Sequence, residues 1–87
     1  MDNSEWFQQW LLSNGFMLSY NNPKITEYVK PFENGDSLYI ILAVNEEGIY
    51  KLSIHSDAPG WAESTSLELP RTGEQAQLLL WFHGLDL

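Results

Sequence analysis

Two hydrophobic periods alternate along the chain. Over residues 4–14 the apolar positions recur every three or four residues. Trp6, Phe7, Trp10 and Leu11, with Asn14, share one side of a helix, while Glu5, Gln8, Gln9 and Ser13 fall largely opposite. Ser4 or Asn3 is the expected cap, and Glu5 suits the positive end of the helix dipole. Gly15 follows Asn14 where a left-handed C-terminal residue belongs. The pattern predicts a helix over 4–14 with one buried stripe.

From about residue 16 the period becomes two. Ile25, Glu27 and Val29 alternate with Thr26, Tyr28 and Lys30, which predicts a strand ending near Pro31-Phe32. Asn34-Gly35 is a hairpin signal, because both residues tolerate positive φ. Leu38 to Val44 is apolar at both parities and reads as the central strand. Asn45-Glu46-Glu47-Gly48 then forms a second hairpin loop. Ile49 to His55 places Tyr50, Leu52 and Ile54 on one face and Lys51, Ser53 and His55 on the other. Asp57-Ala58-Pro59-Gly60 is a turn, and a fourth strand is expected between Trp61 and Leu69, closed by Pro70. Thr72-Gly73-Glu74-Gln75 is a capping box that opens a second helix. Ala76, Leu79, Leu80 and His83 make its buried face, Leu78, Trp81 and Phe82 widen that face, and Gly84 ends the helix. Trp10 and Leu80 should meet over Leu52 and Ile54.

The expected fold is therefore α+β, in the order α-β-β-β-β-α. An antiparallel sheet of about four strands carries an N-terminal and a C-terminal helix on one face, as a single domain over 1–87.

Composition narrows the functional classes. With 44% hydrophobic and 14% aromatic residues, the 87-residue chain has enough apolar surface for one core. It has no cysteine, so neither disulfides nor thiolate metal sites hold it together. The longest apolar run, Leu38 to Val44, is far short of the roughly 20 residues that cross a bilayer. The acidic start, Met1-Asp2-Asn3-Ser4-Glu5, is unlike a secretory signal, and the expectation is a soluble cytoplasmic protein. Twelve acidic residues stand against four basic ones, a formal charge of −8. Such a surface repels phosphate backbones and anionic lipids, so no direct nucleic acid and no membrane is expected as partner. It is drawn to basic protein surfaces, above all those that hold DNA or RNA.

Candidate chemistry is sparse. His55-Ser56-Asp57 is the one cluster of base, hydroxyl and carboxylate, but adjacent strand residues point alternately and do not converge as a triad must. His55, Asp57 and His83 lack a metal-ligand spacing. The glycines are scattered singly at element boundaries, leaving no phosphate loop, and the adjacent pair Glu46-Glu47 falls on a wet hairpin tip. The expectation is no enzyme, no metal and no cofactor.

Twelve aromatic residues exceed what a small two-helix core needs, and Trp and Tyr are the residues that anchor interfaces. Trp61, in a Pro-Gly-Trp loop, is the leading candidate for an exposed anchor, followed by Tyr39 and Ile41 on the second face of the central strand. The carboxylates of Glu33, Asp36, Glu46, Glu47, Asp57, Glu63 and Glu68 fall in turns and at strand ends, where one rim could imitate a row of phosphates. Glu63-Ser64, followed by Leu67-Glu68-Leu69-Pro70 and a helix, resembles the strand that bacteriophage uracil-DNA glycosylase inhibitors insert into their target. Ser56-Asp57-Ala58-Pro59 also has a counterpart there, although the two stretches stand in the opposite order here. That resemblance implies a shared strategy, an acidic decoy beside an apolar contact. Anti-CRISPR proteins share this size and charge. The expected function is a small acidic inhibitor, encoded by a phage or mobile element. It would occupy the basic site of a nucleic-acid-processing enzyme, acting as a monomer or homodimer. The alternative is a structural or accessory subunit that docks or self-associates through aromatic surface or an open sheet edge.

Overall fold

The structure, a computed structural model, describes residues 2–33, 35–57, 63–66 and 68–83. Its elements run α1 (Asn3–Ser13), β1 (Met17–Asn21), β2 (Ile25–Pro31), β3 (Ser37–Val44), β4 (Tyr50–Ser56), β5 (Ser64–Ser66) and α2 (Gly73–Phe82). The five strands form one antiparallel meander in the order β1-β2-β3-β4-β5. The expected α+β architecture holds, with one strand more than the pattern suggested. β1 is exposed at every position, so it has no buried face to impose a readable alternation.

β3 is the central strand, paired with β2 from Ile25↔Ala43 to Pro31↔Ser37 and with β4 from Leu38↔Ser56 to Val44↔Tyr50. One face of the sheet carries the core: Tyr28, Leu38, Ile40, Leu42, Leu52 and Ile54 pack with Phe7 and Leu11 of α1, Phe16, and Ala76 and Leu80 of α2. Both helices thus lie on the same side. The expected strand over 61–69 is confined to Ser64–Ser66 among the described residues, all three of them exposed. Leu67 lies outside those residues, as do Asn34, Ala58, Pro59, Gly60, Trp61 and Gly84, whose expected roles fall there too.

The helix ends follow local chemistry. Asp2, not Ser4 or Asn3, caps α1: its Oδ1 accepts from the Glu5 N–H at 2.8 Å. That frees Ser4 to be buried, where its Oγ accepts from Gln8 Nε2, while Gln8 Oε1 accepts from the Tyr28 hydroxyl. Asn3 instead ties α1 to the chain before α2, its Nδ2 donating to the carbonyl oxygens of Leu69 and Pro70. At the other end Gly15 takes φ +89°, the Phe16 N–H reaches the Leu11 carbonyl and the Gly15 N–H that of Leu12. This is a Schellman turn, and its apolar contact is supplied by the buried Phe16 and Leu11. The Lys30 ammonium donates to the Asn14 carbonyl at 2.6 Å, a cation at the negative end of the helix.

The Thr72 cap of α2 forms as the sequence implies, but the returning bond of the capping box goes to the residue before the cap. The Gln75 N–H donates to Thr72 Oγ1, and Gln75 Oε1 accepts from the Arg71 N–H. Its buried face is narrower than expected. Ala76 and Leu80 are sealed, but Leu78, Trp81 and Phe82 are 54%, 60% and 72% exposed. Only one stripe of α2 meets the core cluster, and among the described residues the other apolar side of the helix is left exposed. Trp10, expected deep over Leu52 and Ile54, is half-buried, with Phe7 stacked at 6.3 Å and its indole nitrogen against Gly73.

Candidate protein-binding surface

Among the described residues no helix packs on the face of the sheet opposite α1 and α2, although its central positions are only partly exposed and Ser53 is buried. Strand alternation and register bring Met17, Val29, Tyr39 and His55 into one row across β1–β4, Tyr20, Glu27, Ile41, Ser53 and Thr65 into the next, and Ile25, Ala43 and Lys51 into a third. An antiparallel sheet with one wet face ordinarily turns polar side chains to water. Here the middle of that face is Val29, Tyr39, Ile41 and Ala43, because β3 is apolar at both parities. Tyr39 and His55 stack across the strands with ring centroids 4.9 Å apart and planes within 13°. The expectation that Tyr39 and Ile41 lie on the second face of the central strand is met, each being partly exposed.

The acidic candidates divide between the two ends of the sheet. Glu33 and Asp36 lie in the β2–β3 turn, Asp57 follows the last residue of β4, and Glu63 precedes Ser64, which pairs with Ile54. These four gather at one end, on neighbouring chain segments whose strands are spaced about 4.8 Å apart. Glu46 and Glu47 lie in the β3–β4 loop at the opposite end, roughly 23 Å away along the eight residues of β3. Glu68 joins that second end, lining a shallow groove with Asp2, Tyr50 and Arg71. Trp61, the expected anchor, lies outside the described residues.

The first end is predominantly acidic among the described residues. Its nearest cation, Lys30, is turned back onto Asn14 and lies over the Phe16 ring at 5.9 Å. Lys24, Lys51 and Arg71 belong to the far half: Lys24 gives its carbonyl to the Val44 N–H, and Lys51 pairs with Ala43. Asp57 is only in part a free carboxylate, since its Oδ1 accepts from the Ser37 N–H at 2.7 Å and clamps β4 to the start of β3. The exposed Glu33 and Glu63 make no such internal contact with described residues.

The His55-Ser56-Asp57 cluster does not converge. His55 stacks on the open face, Ser56 pairs with Leu38 on the helix side, and Asp57 is engaged with Ser37. His83, at the end of α2, has Nδ1 2.8 Å from the Leu79 carbonyl oxygen, on a different element from His55 and Asp57. Among the described residues no group of three or more His, Asp or Glu is placed to hold a metal ion, and no helix is long and apolar enough to cross a membrane. The Tyr28 hydroxyl, bonded to Gln8, has its pKa raised by burial.

Sequence reasoning missed two surfaces. The apolar character of Leu78, Trp81 and Phe82 places the outer side of α2 in the expected core; the signal available is the run Leu78–Phe82, apolar at every position and so on all sides of the helix, in a domain too small to bury it. The segregation of charge depended on strand register, which no local pattern carries. Compared with protein-family models, curated proteins and solved structures, the chain matches none.

Proposed function

We propose that this protein is a non-enzymatic inhibitor that binds the basic, nucleic-acid-binding surface of another protein. The acidic end of its sheet steers the approach, and the adjoining open face supplies apolar contact. One observation supports this reading above the others: Glu33, Asp36, Asp57 and Glu63 gather at one end with the nearest described cation turned away. Such an end acts on a positively charged groove as a nucleic-acid backbone does, and steering of this kind raises association rates far more than it slows dissociation. Tyr39 and Ile41, beside that end, are the apolar contacts in this reading.

The test is a charge reversal at each end in turn. Glu33→Lys with Glu63→Lys should lower affinity for a captured basic protein by one to two orders of magnitude, mostly through slower association. Glu46→Lys with Glu47→Lys should change it by less than about threefold. Excess duplex DNA should displace the inhibitor, and raising salt to about 0.5 M should weaken binding steeply. If both pairs of reversals leave affinity within about threefold, the acidity serves solubility alone and the reading fails.

A second reading, a subunit that associates through aromatic surface, is favoured by a different observation. α2 turns Leu78, Trp81 and Phe82 to solvent on the side away from the sheet.

A further inference from the structure

We infer that the groove between the start of α1 and the segment leading into α2 binds a small zwitterion, an amino acid with an apolar side chain. The inference goes beyond the inhibitor reading and does not depend on it, because the groove lies at the end of the sheet opposite Glu33, Asp36 and Glu63.

Three stretches of chain distant in sequence build the groove: the start of α1, the entry to β4 at Tyr50, and the segment that carries Glu68, Leu69 and Arg71. Asn3 bolts the first stretch to the third, its Nδ2 donating to the carbonyl oxygens of Leu69 and Pro70. The third stretch is pinned along its length. Ser66 Oγ accepts from the Glu68 N–H at 3.1 Å and donates to the Glu68 carbonyl at 3.2 Å, and the Arg71 N–H donates to Gln75 Oε1 at 2.9 Å. The backbone under two side chains of opposite charge is thus fixed before anything binds, which lowers the cost of ordering a complex. The groove has a volume of about 340 Å³, at the small end of the range for small-molecule sites. That is the space of about eleven waters, and it suits a molecule of roughly as many non-hydrogen atoms.

Charge selects the ligand. Arg71 is one of four basic residues set against twelve acidic ones. Its side chain nevertheless makes no hydrogen bond or ion pair with the described residues, although Asp2 and Glu68 line the same groove. Asp2 is committed in part: its Oδ1 accepts from the Glu5 N–H and so occupies the end of α1 that would otherwise draw an anion. An anion alone therefore gains Arg71 but meets two carboxylates, and a cation alone gains the carboxylates but meets Arg71. A molecule carrying both signs satisfies all three. Its carboxylate takes the guanidinium in the two-pronged geometry that arginine favours, and its ammonium turns to Glu68 and Asp2. Tyr50 and Leu69, both partly buried against the core, supply the apolar wall for its side chain. Because Arg71, Glu68 and Asp2 are exposed, their ion pairs are screened and the affinity is low, with a Kd on the order of 1 mM.

Titration of the isotope-labelled full chain with L-phenylalanine to about 20 mM, followed by amide NMR, tests this. The expected result is a saturable shift of the Asn3, Ser4, Gly48 and Arg71 amides, with those of Ile41 and Glu63 unmoved. N-acetylphenylalanine lacks the ammonium and phenylalanine amide lacks the carboxylate, so each should bind at least about fivefold more weakly. Arg71→Gln should weaken binding of L-phenylalanine by at least about fivefold and leave the spectrum otherwise folded, because the bond to Gln75 is made by the backbone N–H. Glu33→Lys with Glu63→Lys should leave this binding unchanged, which separates its failure from that of the inhibitor reading. The absence of saturable shifts overturns the inference, as do shifts centred away from the groove. Binding of either derivative as tight as that of L-phenylalanine overturns it too, and so does an Arg71→Gln variant of unchanged affinity.

Discussion

Ile40 and Ile41 are neighbours on β3, and they live in different solvents. Ile40 is completely buried beneath the helices, in a row with Tyr28 and Ile54; Ile41 is partly exposed on the opposite face, in a row with Glu27 and Ser53. The two residues have the same chemistry, the same strand and the same backbone pairing. What differs is the layer above them. The covered face is continuous with Phe7, Leu11, Ala76 and Leu80, and its burial is where folding stability comes from. Among the described residues the opposite face keeps its apolar side chains partly exposed, and the outer side of α2 leaves Leu78, Trp81 and Phe82 exposed.

The largest expected effect separates the two faces directly. Ile40→Ala should cost about 2–5 kcal/mol of unfolding free energy, a large share of a small domain's total, whereas Ile41→Ala should cost less than about 1 kcal/mol. Equilibrium denaturation of the pair checks this, and equal losses would mean that the open face is covered in solution. Trp10→Ala comes next. Its ring is half-buried between Phe7 and Gly73, so about 2 kcal/mol is expected, less than a fully buried aromatic would lose. Thr72→Ala removes the cap that holds α2 against the covered face and should cost about 1 kcal/mol, with Thr72→Ser retaining most of it.

Asp57→Ala removes the clamp between β4 and the Ser37 N–H and should cost about 0.5–1 kcal/mol, while Glu63→Ala, an exposed neighbour at the same end, should be silent. The contrast also shows why Glu33 and Glu63, rather than Asp57, are the clean probes of the acidic end. The smallest effect is alkaline. Burial raises the Tyr28 pKa, so above about pH 10 the unfolded chain gives up this proton more readily than the folded one. The contribution is fully present below the ordinary tyrosine value and is lost as pH rises through the folded value. Tyr28→Phe should flatten that alkaline slope in denaturation curves, at the cost of leaving the Gln8 carbonyl oxygen without its donor.

Much of the fold was legible because its signals are local. The helix over 4–14 announced itself through the spacing of Phe7 and Leu11, and α2 through Thr72 and Gln75. The central strand was legible in an apolar run at both parities. Where pattern and structure differ, a competing contact or a missing buried face decides. Asp2 rather than Ser4 caps α1 because Ser4 is drawn inward to Gln8 and Asn3 outward to Leu69 and Pro70. β1 passed unseen because an edge strand exposed on both faces obeys no alternation.

The candidate surfaces divide along the same line. Sequence by itself determined the excess of carboxylates, the surplus of aromatic residues, the absence of cysteine and the periods that build helices and strands, since each is a property of composition or of near neighbours. Only the tertiary structure decided which apolar face would be covered, because two helices suffice for one side of a five-stranded sheet. It also decided which carboxylates share an end, because strand register, not sequence distance, puts Glu63 with Glu33 and leaves Glu68 with Glu46. Register is fixed by burying one parity of every strand at once. No single segment contains that information.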